Sequence, residues 1–117
     1  MIGFGNRGRL YSKFINDYSE RAKLVAVCDY RIEELKEDLA KYNVEHLYSN
    51  DKDFFDANLD LDLCIICSMD QYHYKQTIEA LNHNYNLLLE KPVAQTLSEV
   101  KEIRDLAVAK KLKVIVC

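Results

Sequence analysis

Gly3-Phe4-Gly5-Asn6-Arg7-Gly8 gathers every glycine of a 117-residue chain into one short run near its start. The spacing is GxGxxG, and a helix-like pattern follows at once. In such a run the first glycine permits a tight turn, the second lets a pyrophosphate approach the backbone, and the third lets the helix pack closely on its strand. The anion then meets free N–H groups at the helix start, where the dipole favours negative charge. Asn6 and Arg7 lie inside this turn and belong to the same cradle. Alone, the spacing is weak evidence, because glycines also build plain loops. Roughly 20 residues beyond Gly8, however, an apolar run ends in Asp29, the distance at which a carboxylate accepts hydrogen bonds from a ribose diol. The combination indicates a dinucleotide site, with the plain loop and a helix-capping Asp29 as the bland alternative. A carboxylate at this position repels the 2′-phosphate of NADP, so NAD is the expected cofactor. Arg31, close behind, is a partner for such a phosphate and keeps NADP possible.

These residues need a sheet to hold them. KLVAVCD (23–29) and LDLCIICS (61–68) are continuous apolar runs, the pattern of strands covered on both faces, and they imply a parallel sheet. NLLLE (86–90) and LKVIVC (112–117) are shorter examples, and HLYS (46–49) is a weaker one. Between them, Ile32, Leu35, Leu39 and Tyr42 recur at helical spacing, as do Val100, Ile103, Leu106 and Ala107. Thr96 with Glu99 spells a capping box for the second of these helices. Residues 7–20 and 71–84 also read as helical, and 51–58 as a short helix or turn. Alternating strands and helices with right-handed crossovers build an α/β, doubly wound parallel sheet of the Rossmann type. Residues 1–117 form one dinucleotide-binding domain, with no repeat, linker or low-complexity tract.

The bulk properties exclude other classes. A net charge of −3 offers no basic face for nucleic acid, and no apolar run approaches the roughly 20 residues that cross a bilayer. A cytoplasmic location is expected. Cys28, Cys64, Cys67 and Cys117 sit in or at the ends of apolar runs and are expected to be buried hydrophobes. Cys64 and Cys67 spell CxxC, but residues three apart on a strand face opposite ways, so no metal site is expected. His46 and His83 read as surface residues.

Two later stretches resemble a known family. NLLLEKPVAQTLSEV (86–100) resembles the strand, Glu-Lys-Pro turn and helix start of the glucose-fructose oxidoreductase and inositol dehydrogenase family, Gfo/Idh/MocA. LDLCIICSMDQYHYKQTIEAL (61–81) resembles that family's preceding strand and helix, where Thr-Pro-Asn-x-x-His is common. With the glycine run and VCD, the likeness spans the whole chain. It implies that Lys91 lies at the nicotinamide and substrate end of the cleft, as a catalytic residue that polarises the reacting hydroxyl. An ammonium suits that task, since it stabilises an alkoxide as hydride leaves. The resemblance further implies that Glu90 positions cofactor or lysine, and that His73 lies near the nicotinamide. Ser68, Met69 and Asp70 stand where the family pattern has Thr, Pro and Asn, and Ser68 is expected to bind cofactor at this turn. The family often has a cis peptide at the lysine–proline bond, which is expected at Lys91–Pro92.

Only Met1 and Ile2 precede Gly3, so the first strand is expected to be truncated and the glycine turn poorly anchored. The family continues past the last strand into a second domain that is not in this sequence, so the chain reads as a fragment. The expected function is hydride transfer between a nicotinamide cofactor and a sugar, cyclitol or related polyol, in a full-length homo-oligomer. The fragment alone is expected to bind NAD weakly and turn over no substrate. A non-catalytic dinucleotide sensor is the alternative; it would need the glycines and Asp29 but not Lys91.

Overall fold

The structure, a computed structural model, describes residues 1–117. Helix α1 (Asn6–Asp17) follows the glycine run directly. Then β1 (Ala26–Cys28), α2 (Ile32–Ala40), β2 (His46–Tyr48), α3 (Asp51–Asp56), β3 (Leu63–Ile66), α4 (Asp70–Asn82), β4 (Asn86–Leu89), α5 (Leu97–Lys110) and β5 (Val114–Val116) alternate strictly. No helix is long and apolar enough to cross a membrane.

All strand pairings are parallel: β1 with β2, β3 with β4, and β4 with β5. Ile2 joins the two groups by bridging Cys28 on one side and Ile66 on the other. The order across the sheet is therefore β2, β1, Ile2, β3, β4, β5, which is a doubly wound sheet with its switch point at Ile2.

Two apolar layers sandwich this sheet. Ile32, Leu35 and Leu39 of α2 pack with Phe4, Val27, Ile65 and Cys67, with Tyr11 and Ile15 of α1 against them. On the other face, Phe54 and Phe55 of α3, Ala80 and Leu81 of α4, and Ile103 and Ala107 of α5 pack on Cys64, Ile66, Leu87 and Leu89. Along β3 the side chains alternate between the two layers, so Cys64 and Cys67 lie on opposite faces, as a strand requires.

Helix boundaries follow local chemistry. Thr96 accepts from the Glu99 N–H at 3.2 Å, and Glu99 accepts from the Thr96 N–H at 2.9 Å, so both arms of the capping box form. Asn50 caps α3 by accepting from the Asp53 N–H at 2.9 Å. On α5 the expected apolar face narrows. Ile103 and Ala107 are buried, whereas Val100, one turn from the helix start, is exposed.

Three expectations are corrected. The glycine turn is firmly held despite the short first strand. Ile2 donates to Ile65 O at 2.7 Å, Gly3 to Cys28 O at 2.8 Å, Cys28 to Met1 O at 2.9 Å and Cys67 to Ile2 O at 2.9 Å. Two residues suffice because each has a strand on both sides. Cys117 is exposed, unlike the other three cysteines, because β5 is the sheet edge. His83 is half-buried, stacked between Phe55 and Tyr85 at centroid distances of 5.1 and 6.0 Å.

Leu87 sits fully buried in β4 with strands on both sides. Leu87→Ala is expected to cost about 2–5 kcal/mol, because the close-packed layers cannot collapse into the space left. Urea titration followed by circular dichroism measures it.

Candidate cofactor site

Five candidate residues lie where the chain leaves the C-terminal edge of the sheet, Gly3 after Ile2, Asp29 after β1, Ser68 after β3, and Glu90 and Lys91 after β4, whereas Asn6, Arg7 and Gly8 open α1 and His73 lies within α4. In doubly wound folds the crevice opens at this edge, beside the switch point. A cleft of about 780 Å³ occupies it, lined in part by Gly3, Gly5, Asp29, Arg31, Ser68 and Gln76.

The three glycines meet different needs. Gly3 has φ +90°, and a Cβ there would lie 2.7 Å from the Cys67 carbonyl and the Ser68 nitrogen. A Cβ on Gly8 would lie 2.4 Å from Gly3 O, so helix and turn touch through this residue. Gly5 is the reverse, with nothing within 4 Å of where its Cβ would stand. It is also the N-cap of α1, with no side chain capping the helix and no acidic residue in the first turn. The first helical bond here runs from the Arg9 N–H to Gly5 O, 3.0 Å, so the N–H groups of Asn6, Arg7 and Gly8 precede any intrahelical acceptor. An open backbone cradle at an uncapped helix start fits a pyrophosphate.

Asp29 is 7% exposed and rigidly aimed. Its Oδ2 accepts from the Phe4 N–H at 2.8 Å and its Oδ1 from the Arg31 N–H at 2.9 Å. The Arg31 guanidinium adds contacts of 3.3 Å from Nε to Oδ1 and 3.4 Å from Nη2 to Oδ2. Burial pushes the carboxyl up. The backbone donors of Arg31 and Phe4, with the guanidinium, outweigh that and hold it below the usual carboxylate range.

Glu90, 6% exposed, accepts from the Tyr11 hydroxyl at 2.5 Å and faces Arg7 Nε at 3.4 Å. Burial and then the bond to Glu90 push the Tyr11 phenol well up, so it stays a donor. Lys91 is exposed, and its ammonium makes no hydrogen bond or ion pair, while its N–H donates to Cys117 O at 3.0 Å. The Lys91–Pro92 peptide is cis.

His73 is fully buried and does not line the cleft. Its Nδ1 lies 2.7 Å from Pro92 O and its Nε2 3.2 Å from Ser68 O, so it ties the β3 and β4 turns together. Ser68 donates to Gln76 Oε1, Gln76 Nε2 donates to Asp51 Oδ2 at 2.9 Å, and Cys28 Sγ donates to Asp51 Oδ1 at 3.6 Å. Sequence reasoning missed this chain, as it missed Tyr11. Asn50 capping α3 was the available signal for Asp51; nothing local marks Gln76. Burial, then the charge of Asp51, pushes the Cys28 thiol up to about 12, so it is no nucleophile at neutral pH. No group of His, Cys, Asp and Glu could hold a metal ion.

Two outcomes follow from this geometry. Gly8→Ala is expected to destabilise the fold by about 1–3 kcal/mol, the range for overpacking, whereas Gly5→Ala meets no clash and is expected to cost less, losing only the N-cap preference for Gly over Ala. Thermal melts separate them. Asp29, held low in the folded state, contributes stability above its unfolded pKa of about 4, and loses it as pH falls through the lower folded value. Asp29→Asn is thus expected to cost about 1–3 kcal/mol at neutral pH. The gap between the two melting curves should narrow as the pH falls below the unfolded value and through the lower folded one.

Comparison with known proteins bears on the fold and the family. The D-glucoside 3-dehydrogenase of Escherichia coli is 31% identical over 85 residues, 73% of this chain and 24% of that protein. A crystal structure of myo-inositol 2-dehydrogenase from Lactobacillus plantarum superposes with TM-score 0.88 at 26% identity, covering 99% of this chain and 34% of the other. The WlbA dehydrogenase of Bordetella pertussis, solved with NADH and UDP-GlcNAcA, has the same fold, with TM-score 0.88 at 22% identity over 99% of this chain and 33% of the other. The chain spans about a quarter to a third of the length of these proteins. The model of the oxidoreductase family with an NAD-binding Rossmann fold matches residues 1–117, and the chain belongs to that family, Gfo/Idh/MocA.

Proposed function

We propose that this domain holds NAD in the C-terminal cleft and serves hydride transfer at a hydroxyl-bearing carbon of a sugar, cyclitol or related polyol. One observation carries the cofactor reading. An open, side-chain-free cradle at Gly5 and the buried carboxylate of Asp29 share one cleft, joined by the Phe4 N–H bond. The backbone of Gly3, Gly5, Asn6, Arg7 and Gly8 would take the pyrophosphate, Asp29 the adenosine ribose, and the Ser68 turn the middle of the cofactor. The substrate class is supported by relatives named for glucoside and inositol dehydrogenation.

NAD, when bound, supplies the hydride acceptor. Lys91 is the candidate catalytic residue. Its ammonium, free of any carboxylate in this structure, is available to a substrate oxygen and would stabilise negative charge developing there. Glu90 cannot neutralise it readily, because Tyr11 and Arg7 already hold that carboxylate. His73 and Pro92 O keep the two turns in register, which makes His73 a positioning residue.

Isothermal titration tests the reading. NAD is expected to bind the chain, and Asp29→Ala to weaken it by about 5- to 150-fold, the 1–3 kcal/mol of lost buried hydrogen bonds. Unchanged affinity would leave Asp29 as a helix-start residue only. In any longer form that oxidises a polyol, Lys91→Met should lower kcat by about 10²–10⁴ with little change in NAD affinity.

A further inference from the structure

The carboxylate that would receive the ribose already has its full complement of donors. An ionised carboxylate offers about four lone-pair positions, and Asp29 meets four donors here. The N–H groups of Phe4 and Arg31, at 2.8 and 2.9 Å, belong to the backbone and cannot leave without unfolding the turns. The other two, Nε and Nη2 of Arg31, come from a side chain that is 36% exposed and sits at the longer distances of 3.3 and 3.4 Å. A ribose diol brings a pair of O–H donors to the same carboxylate, and the two positions it needs are those the guanidinium holds.

We propose that Arg31 is a displaceable cap on Asp29, which competes with the adenosine ribose for the carboxylate and sets how strongly the cleft prefers NAD over NADP. The inference rests on the cofactor reading above and adds a specificity-determining residue to it. Displacement is feasible because Arg31 has somewhere to go. Its Cζ lies 5.2 Å from the ring centre of Tyr30, a residue 75% exposed at the cleft margin, and both line the cleft. A guanidinium sliding onto that ring keeps a cation–π contact while uncovering Asp29. With NAD, the displacement subtracts from affinity. With NADP, the released guanidinium faces a 2′-phosphate beside a carboxylate that would otherwise repel it, so the same residue adds affinity. Arg31 thereby narrows the discrimination that Asp29 alone would impose.

The test is titration of NAD and NADP into the wild-type chain, Arg31→Met and Arg31→Lys, at low and at physiological ionic strength. Met keeps the apolar stem without donors; Lys keeps the charge without the fork. Arg31→Met is expected to tighten NAD by about two- to fivefold, the worth of an exposed ion pair, and to weaken NADP by about tenfold or more. Arg31→Lys should fall between. The NAD advantage of Arg31→Met should be smaller at physiological than at low salt, because only the wild type carries the competing pair, whose arginine side is open to screening. A purely structural effect would not track salt. NAD affinity that is equal or weaker in Arg31→Met at low ionic strength, with wild-type binding intact and melting temperatures matched, overturns the cap and leaves the cofactor reading standing. Failure of wild type and both variants to bind either nucleotide overturns the cofactor reading and the cap together.

Discussion

The structure depends on one short piece of backbone strung between two strands. Ile2 gives its N–H to Ile65 and its carbonyl to Cys67, while Met1 O and the Gly3 N–H bond to Cys28. These bonds join a two-stranded and a three-stranded sheet into one. They also set the height at which the glycine turn emerges, because Gly3 follows immediately. Its φ of +90° and its contact with the Cys67 carbonyl leave no room for a side chain, so turn and sheet are locked by sterics as well as hydrogen bonds. Gly8 then lets α1 rest on that turn. The position of this helix start fixes where its free backbone N–H groups lie.

A second level of order lies in how the site's charges are held. Asp29 and Glu90 are both buried carboxylates at strand ends, and each is oriented by donors from other elements. Phe4 N–H and Arg31 aim the first; Tyr11 and Arg7, both on α1, aim the second. Helix α1 and its preceding turn thus reach both carboxylates. Lys91, next to Glu90, is left without a partner, an arrangement that costs little at an exposed position. Polar groups in the rest of the cleft, Ser68, Gln76, Asp51 and Cys28, satisfy one another in a single chain of hydrogen bonds. That satisfaction makes the wall rigid, because an unpaired buried polar group would be costly.

Much of this was legible in the amino-acid sequence. The glycine spacing, the carboxylate ending the next apolar run, the Thr96–Glu99 capping box and the alternation of apolar runs with helical spacing are all local patterns. Each depends on backbone conformation or on which face is buried, and neighbours in sequence determine both. Glu-Lys-Pro and the resemblance it carried belong to the same class of information. The strand runs KLVAVCD and LDLCIICS marked both-face burial correctly because a central parallel strand has no polar side to reveal.

Tertiary structure alone decided the rest. Arg31 could have pointed at solvent or at a phosphate; its pairing with Asp29 depends on the β1–α2 turn that brings both back over the cleft. Tyr11 and Glu90, 79 residues apart, meet because the switch point places α1 over the β4 end. His73 spells a family motif in sequence, yet in the fold it is a buried tie between two turns and not part of the cleft lining. Two residues of first strand looked inadequate as an anchor until strands on both sides supplied the hydrogen bonds. Apart from the Arg31–Asp29 pair, which is local, the deciding contacts join separate segments of the chain. Local spacing settled which residues belong to strand ends and turns, whereas only the packed sheet could settle which of their side chains face one another.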